Sequence, residues 1–459
     1  MGRGVSRYGI VDRNTPITTS VKETAGGLPA VISAWKHGVS KMGFVGSTVS
    51  LGRANQKRGF DCPGCAWPDP KHRSPFEYCE NGAKAVSDEA TIKTIPDSFW
   101  QEHSIHALGR KSDQWLNSQG RLSRPLILER DSNHYVPSDW DRAIGIIAKS
   151  LDALEDPNDA YFYTSGRASN EAAYLWQLLA RQYGTNNLPD CSNMCHESSG
   201  VALNESIGIG KGTVRLEDFD KADLIVIVGQ NPGTNHPRML SALKSAKKSG
   251  ASVLSINPLK ETGMRRFRHP QSPIDMLGAG TQISDDHVNI KINGDMALFR
   301  AIGSIILDKG SHDLDFINLN TTGFLDYAKI AQKIDWDLIE HLTGQDRERI
   351  NEISDYFCRS KRTIVCWAMG ITQHKNSVNT IREIMNVLLL KGDIGREGSG
   401  PCPVRGHSNV QGDRTVGITH APDEFFIEKL SKEFEIDTPS DHGADSVSYT
   451  HLRAHETRP

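Results

Sequence analysis

From about residue 125 onward, short apolar runs alternate with stretches whose apolar positions recur every three to four residues, the signatures of buried strands and amphipathic helices. RPLIL, near 125–127, predicts a strand. Ser138-Asp139-Trp140-Asp141 predicts a helix start, a capping oxygen followed by acids in the first turn. That helix is expected to reach about Leu154, with Ile144, Ile147, Ala148 and Leu151 on one face. AYFYTS (160–165) reads as a strand, and 170–183 as a helix that Gly184 can terminate. ADLIVIVG (222–229) is apolar without interruption, as a parallel strand covered on both faces must be. A helix over about 237–248 and a second strand, ASVLSINP (251–258), complete a βαβ unit with the loop GQNPGTNHP after its first strand. TIVCWAMG (363–370) predicts another strand. The helix after it, 377–391, carries Val378, Ile381, Met385 and Leu388 on one stripe and ends at Gly392. Repeated βαβ units predict doubly wound α/β domains, whose ligands sit where strands end. Residues 1–60 are rich in Gly, Ser and charge, with one amphipathic stretch and no readable role.

At 459 residues the chain exceeds one hydrophobic core, so two to four compact units are expected. The formal charge of −3 comes from 53 basic and 56 acidic residues, well mixed, which argues against nucleic acid or an anionic membrane surface as partner. No apolar run approaches the roughly 20 residues of a membrane span. The start, MGRGVSRYGI, lacks an apolar stretch after its positive charges and a twin-arginine pair, so a cytoplasmic location is expected. The final SVSYTHLRAHETRP has no periodicity and reads as foreign to the rest. Residues 446–459 are therefore expected to be a non-native tail on a chain cut off near residue 445.

Eight cysteines are too few for a disulfide framework in so long a chain, and their clustering points to metal or catalysis. Cys62-Pro-Gly-Cys65 is a C-x-x-C pair, with Cys79 fourteen positions further on. That spacing lets two thiolates chelate one metal or two corners of a cluster, and is equally compatible with zinc, an iron–sulfur cluster or a redox dithiol. Asp69 and His72 lie between the cysteines as ligands for a site lacking a fourth thiolate. Cys358 and Cys366, at an apolar strand, read as small buried hydrophobes. Cys402 lies between prolines and stays ambiguous.

Asn193-Met194-Cys195-His196-Glu197 joins a thiol to an imidazole. This suits a metal-bound sulfur with a proton-moving neighbour, but these two residues alone favour a buried cysteine beside an unrelated histidine. In Pro403-Val404-Arg405-Gly406-His407-Ser408-Asn409-Val410-Gln411-Gly412, Arg405 offers a planar fork for a carboxylate or phosphate. Asn409 and Gln411 carry both donors and acceptors, as recognition of a heterocycle requires. A solvated surface loop is an equally good reading.

SNMCHESSGVALNESIG, GQNPGTNHP, CWAMGITQH and LLLKGDIGREGSGPCPVRGHSNVQG, in that order along the chain, resemble successive signatures of the molybdopterin oxidoreductases, in the branch of formate dehydrogenase. The resemblance runs from about residue 62 to 418. It implies a multidomain α/β fold with doubly wound βαβ domains, from which the family's C-terminal cofactor-binding domain is missing. The implied organisation is an iron–sulfur region over 1–125, one α/β domain in two segments (126–190 and 408–445), and a molybdopterin-binding α/β domain over 191–407. Carried over, the resemblance makes Cys195 the sulfur ligand of molybdenum, His196 the proton acceptor and Arg405 the clamp on the substrate carboxylate. Gly229, Asn231, His236 and Asn257 would hold the guanine dinucleotide arms of a Mo-bis(molybdopterin guanine dinucleotide). Gly370, Asn409, Gln411 and Gly412 would line the same cofactor. Cys62, Cys65 and Cys79 would bind a [4Fe–4S] cluster, with Lys84 between cluster and pterin.

The implied activity is two-electron oxidation of formate or a similar small substrate, with electrons passed to the cluster and onward to an electron-transfer protein partner. Three departures bear on it. The third cysteine of the usual four-cysteine pattern, close behind the pair, is absent. Glu197-Ser198 stands where formate enzymes have Gly-Pro, and His407 where they commonly have Gln. A non-catalytic iron–sulfur and pterin relay subunit, an oxo-transfer reductase of the same superfamily and a zinc-binding structural protein are the alternatives. Retention of Cys195, His196 and Arg405 together favours an enzyme.

Overall fold

A computed structural model describes residues 22–446. Five parallel strands form its main sheet: β1 (Leu224–Val228), β2 (Ser252–Asn257), β3 (Asp286–Asn289), β4 (Thr363–Trp367) and β5 (Gly400–Pro403), in the spatial order β5-β4-β1-β2-β3. Central β1 pairs Val226 with Leu254 on one side and Val365 on the other. Its unbroken apolar run follows from burial on both faces. Leu224, Val226 and Val228 pack into one core cluster and Ile225 and Ile227 into another. The predicted βαβ units are thus present. The chain leaves β1 toward β2 and leaves β4 toward β5, in opposite directions, so a topological switch point lies between the ends of β1 and β4.

The helices that matter for the site are, in chain order, α1 (Gly27–Arg53), α2 (Glu80–Glu89), α3 (Trp140–Asp152), α4 (Asn170–Tyr183), α5 (Cys191–Cys195), α6 (Glu197–Ile207), α7 (Met239–Lys248), α8 (Ser377–Leu390) and α9 (Val410–Thr415). In the amino-terminal region α1 packs on α2 through Ala34, Met42, Leu51, Ala83 and Val86, forming a small core of its own. Helices α6 and α8 cover one face of the sheet through Ala202, Leu203, Ile381 and Met385, and α7 covers the other through Met239, Leu240 and Leu243. Gly184 closes α4 in the left-handed conformation, with φ of 108°. Residues 408–445 return to the 160–190 region: Asn409 N–H bonds the Gly166 carbonyl at 2.8 Å, and Asn186 donates to the carbonyls of Pro439 and Asp441. None of the described helices is long and apolar enough to cross a membrane.

Two expectations need correction. The cap of α3 is Asp139, which accepts from Arg142 N–H, rather than Ser138; the helix stops at Asp152, and its apolar stripe lies exposed, Ile144 at 57% and Ile147 at 58%. The strand expected near 125–127 is present as Leu126–Ile127, paired with Val136–Pro137 in a two-stranded hairpin. The 160–165 segment is extended but joins no ladder, because its partner is the irregular chain at 187–190: Phe162 N–H reaches the Asn187 carbonyl and Thr164 N–H that of Pro189. Periodicity reports burial and extension, and pairing is left to the tertiary context. The expected non-native tail over 446–459 falls almost wholly outside the described residues.

Candidate active site and cofactor cradle

At the switch point two glycines allow two strand-end loops to touch. Gly229, at φ +55°, follows β1, and Gly370 follows β4; Gly370 N–H donates to the Gly229 carbonyl at 3.0 Å. A Cβ on Gly370 would stand 2.5 Å from that carbonyl oxygen, and one on Gly229 would stand 2.8 Å from the Gly370 backbone. Around them, Asn231 caps the turn Pro232–Asn235 and Asn257 ends β2, its amide reaching the Gln230 carbonyl at 3.3 Å. His236 is fully buried; its Nε2–H donates to the Arg405 carbonyl at 2.7 Å, and its Nδ1 faces Gln230. Four of the residues expected to hold the pterin nucleotide, and Gly370, therefore gather at the strand ends. Asn409 and Gly412 do not join them. The Asn409 amide bonds Ala168 O, Asn170 Oδ1 and Asp413 Oδ1, and a Cβ on Gly412 would collide with Asn409 and Asn170, so both serve the seam between α9 and α4. Gln411 is exposed on α9.

Cys195 ends α5, a one-turn helix capped by Asp190. Its carbonyl accepts from Thr372 Oγ1 at 2.5 Å, and its Sγ lies 3.7 Å from Met369 Sδ. Burial pushes the thiol up from its ordinary range, while the Gly406 N–H and the Arg405 guanidinium pull it down. Arg405 is buried at 8% exposure, and its Nη1 has no hydrogen-bond partner among the described residues. A buried guanidinium nitrogen without a partner is costly, and an anionic ligand would satisfy it. Cys195 and Arg405, 210 positions apart in the chain, are thus brought together.

His196 is adjacent but engaged elsewhere. Its Nε2 meets the Val404 carbonyl at 3.0 Å, and a carbonyl can only accept, so Nε2 carries the hydrogen. Nδ1 then accepts from Ser199 Oγ at 2.9 Å, and that oxygen receives Trp367 Nε1–H at 2.9 Å. Burial, with Arg405 and His236 nearby, pushes its pKa down to about 3. Both ring nitrogens thus brace α5 and α6 against the strands β4 and β5.

The three sequence-predicted cysteines meet in a cavity of about 650 Å³, which also takes in Lys84, Arg167, Met369, Gly406 and His407 and so reaches the Cys195 environment. Asn55, at positive φ, ties the cysteine loop at both ends: its amide donates to Glu77 O and its carbonyl accepts from Cys62 N–H. Cys79 caps α2, accepting from Gly82 N–H at 3.3 Å, and Gly64 N–H points at Cys62 Sγ at 3.4 Å. Burial and the neighbouring sulfurs push the Cys79 thiol up to about 11, and burial raises Cys62 and Cys65 too. Three thiols that resist ionisation together, with backbone N–H groups aimed at two of them, fit a cationic inorganic core better than a free trithiol. Among the described residues no three His, Cys, Asp or Glu side chains are arranged around a single metal ion.

Asp69 is held by Arg73 at 3.1 Å and Arg238 at 2.7 Å, and His72 lines a neighbouring cavity instead. Asp61, Asp69 and Asp88 all line the cysteine cavity, but Asp88 is paired with Lys41 at 3.3 Å, which leaves Asp61 as the carboxylate there without an ion-pair partner among the described residues. Lys84 lies in this cavity paired with Glu80 at 2.9 Å. Cys366 is fully buried in β4, as expected, and lies opposite Cys402 of β5. Asp61, Asn55, Thr372, Met369, Ser199 and Trp367 were not legible as site residues. Only Ser199, three residues after His196 on a helix, had a spacing signal.

The molybdopterin oxidoreductase family model matches residues 121–438, more than half of the chain, and the chain belongs to that family. It is 49% identical over 434 residues to an "Uncharacterized oxidoreductase" of Mycobacterium tuberculosis, covering 93% of this chain and 56% of the relative. Protein YdeP of Escherichia coli is 44% identical over 440 residues, covering 94% and 58%. Formate dehydrogenase H of Escherichia coli is 28% identical over 349 residues, covering 73% and 46%. The chain thus spans little more than half the length of the relatives it most resembles among these. Acetylene hydratase from Pelobacter acetylenicus shares the fold, with a TM-score of 0.51 at 18% identity over 61% of this chain and 36% of that one.

Proposed function

We propose that the full-length protein is a molybdenum-dependent oxidoreductase related to formate dehydrogenase, which removes two electrons from formate or a similar small anion. The observation that carries this reading is the buried Arg405 guanidinium, with an unpartnered Nη1, beside the Cys195 thiol at the switch-point cradle. Mo-bis(molybdopterin guanine dinucleotide) and a [4Fe–4S] cluster would, when bound, supply the two-electron and one-electron redox chemistry. The protein's own residues do the rest. Gly229, Asn231, His236, Asn257 and Gly370 form the cradle for the nucleotide arms. Cys195 offers a soft sulfur to the metal. Arg405 fixes an anionic substrate by a planar fork. Cys62, Cys65 and Cys79 would hold the cluster, and Asp61 is the carboxylate of their cavity free to complete it. His196, neutral and doubly hydrogen-bonded, keeps Cys195 and Arg405 in register. Proton uptake falls to another group, and His407, which lines the connecting cavity with an unpartnered Nδ1, is the group so placed.

The test is activity of the full-length enzyme across a panel of small acids and oxo-compounds, wild type beside Arg405→Lys. The variant should lose about 2–4 kcal/mol of transition-state stabilisation, as for loss of a well-placed charged donor. Unchanged kinetics on every active substrate would rule out the anion clamp.

A further inference from the structure

A second cavity, of about 720 Å³, adjoins the cysteine cavity and shares Cys79, Asn81, Pro237 and Arg238 with it. Small-molecule sites occupy roughly 300–1,000 Å³. The walls are unusually aromatic: Trp35 of α1, Phe76 and Tyr78 of the cysteine loop, and Phe267. Among the polar groups of the lining, which include His72, Ser74, Asn81, Ser241 and Gln271, Tyr78 and His269 are packed edge-on against the aromatic walls Phe76 and Phe267. The Tyr78 hydroxyl has no hydrogen-bond partner among the described residues, its ring being packed edge-on to Phe76. His269 accepts from Gln271 N–H at Nδ1, 3.2 Å away, which leaves Nε2–H as a donor. Charge narrows the ligand further. Arg238, the one arginine or lysine in the lining, is taken up by Asp69 and Glu77. Glu80, also in the lining, is a carboxylate. A phosphate-bearing ligand would find no free cation here, whereas a neutral planar ring with acceptor oxygens would find aromatic walls and two donors.

We propose that this cleft binds a neutral quinone ring, its carbonyls accepting from Tyr78 O–H and His269 Nε2–H. A quinone becomes a hydroquinone by taking up two electrons and two protons, so one held against Cys79 is placed to be the electron acceptor of the reaction proposed above. That role rests on the reading of the cysteines as cluster ligands; binding does not.

The 459-residue chain is titrated anaerobically by calorimetry with duroquinone, a benzoquinone with no free ring carbon for a thiol to attack. Saturable one-to-one binding is expected. Tyr78→Phe and His269→Gln should each weaken it by about five- to tenfold, the loss of one hydrogen bond, and Val31→Trp should abolish it by filling the cleft. Flavin mononucleotide should not bind. No binding, or binding unchanged in all three variants with native circular dichroism, overturns the site. Binding of the flavin without the quinone overturns the ligand class. Wild type and Cys79→Ser, each treated with iron and sulfide, separate the two readings: quinone binding by a wild type that never takes up iron, or iron uptake unchanged in Cys79→Ser, sinks the cluster alone, and iron uptake by wild type without quinone binding sinks this site alone.

Discussion

His196 shows how far one side chain's role depends on what its atoms touch. Beside a cysteine in sequence it looks like a proton acceptor, yet its one lone pair faces Ser199 and its N–H faces Val404. With a pKa held near 3 by burial it stays neutral through the physiological range. His196→Ala should therefore cost about 2–5 kcal/mol of stability, from a cavity and two abandoned hydrogen bonds, read by denaturant unfolding. A pH–rate limb between 5 and 8 should survive in any His196→Gln protein that folds; its disappearance would restore the proton-acceptor role. Asp393 argues in the opposite direction. It is fully buried, and burial raises its carboxyl to about 7 despite Thr363, Arg396 and Lys391 nearby. A carboxyl whose folded pKa lies above its unfolded one contributes stability below the unfolded value and loses it as pH rises through the folded value. Between about pH 4 and 7 this group should erode stability. Asp393→Asn should flatten that part of the stability–pH curve, and unfolding midpoints across the range check it.

At the scale of elements, the strand-end loops are held by close backbone contact. Gly229→Ala or Gly370→Ala would push a Cβ to within 2.8 Å or 2.5 Å of the opposing backbone, and should destabilise by about 1–3 kcal/mol while weakening pterin retention. Gly145→Ala, on exposed α3 with nothing within 4 Å of the added carbon, should instead gain about 0.5–1 kcal/mol. Thermal melts of the three variants separate the cases. The elements themselves were largely readable. β1, β2, α4 and α8 sit within a residue or two of their predicted bounds, and β4 starts where predicted but ends three residues early, because burial on two faces or one leaves an unambiguous period. The 160–165 segment misled because extended apolar chain can satisfy its backbone against an irregular neighbour.

For the whole molecule, the decisive composition is metal content. Full-length protein purified anaerobically should contain iron, acid-labile sulfide and molybdenum or tungsten; zinc alone would sink the reading. Cys62→Ser or Cys65→Ser should remove the iron–sulfur absorption, whereas Cys358→Ser, outside the cavity, should leave it. What the sequence by itself determined is the α/β class, the family and the residue types of the chemistry, since hydrophobic period and ordered motifs are properties of neighbours along the chain. What only the tertiary structure decided is which of those residues meet. Cys195 finds Arg405 across 210 positions, and the cysteine loop finds Met369 and His407. Asp69 is lost to two arginines, Asn409 to a helix seam and His196 to a serine and a carbonyl. Side-chain availability is the outcome of competition among partners distant in sequence, and that competition is settled only when the chain has folded.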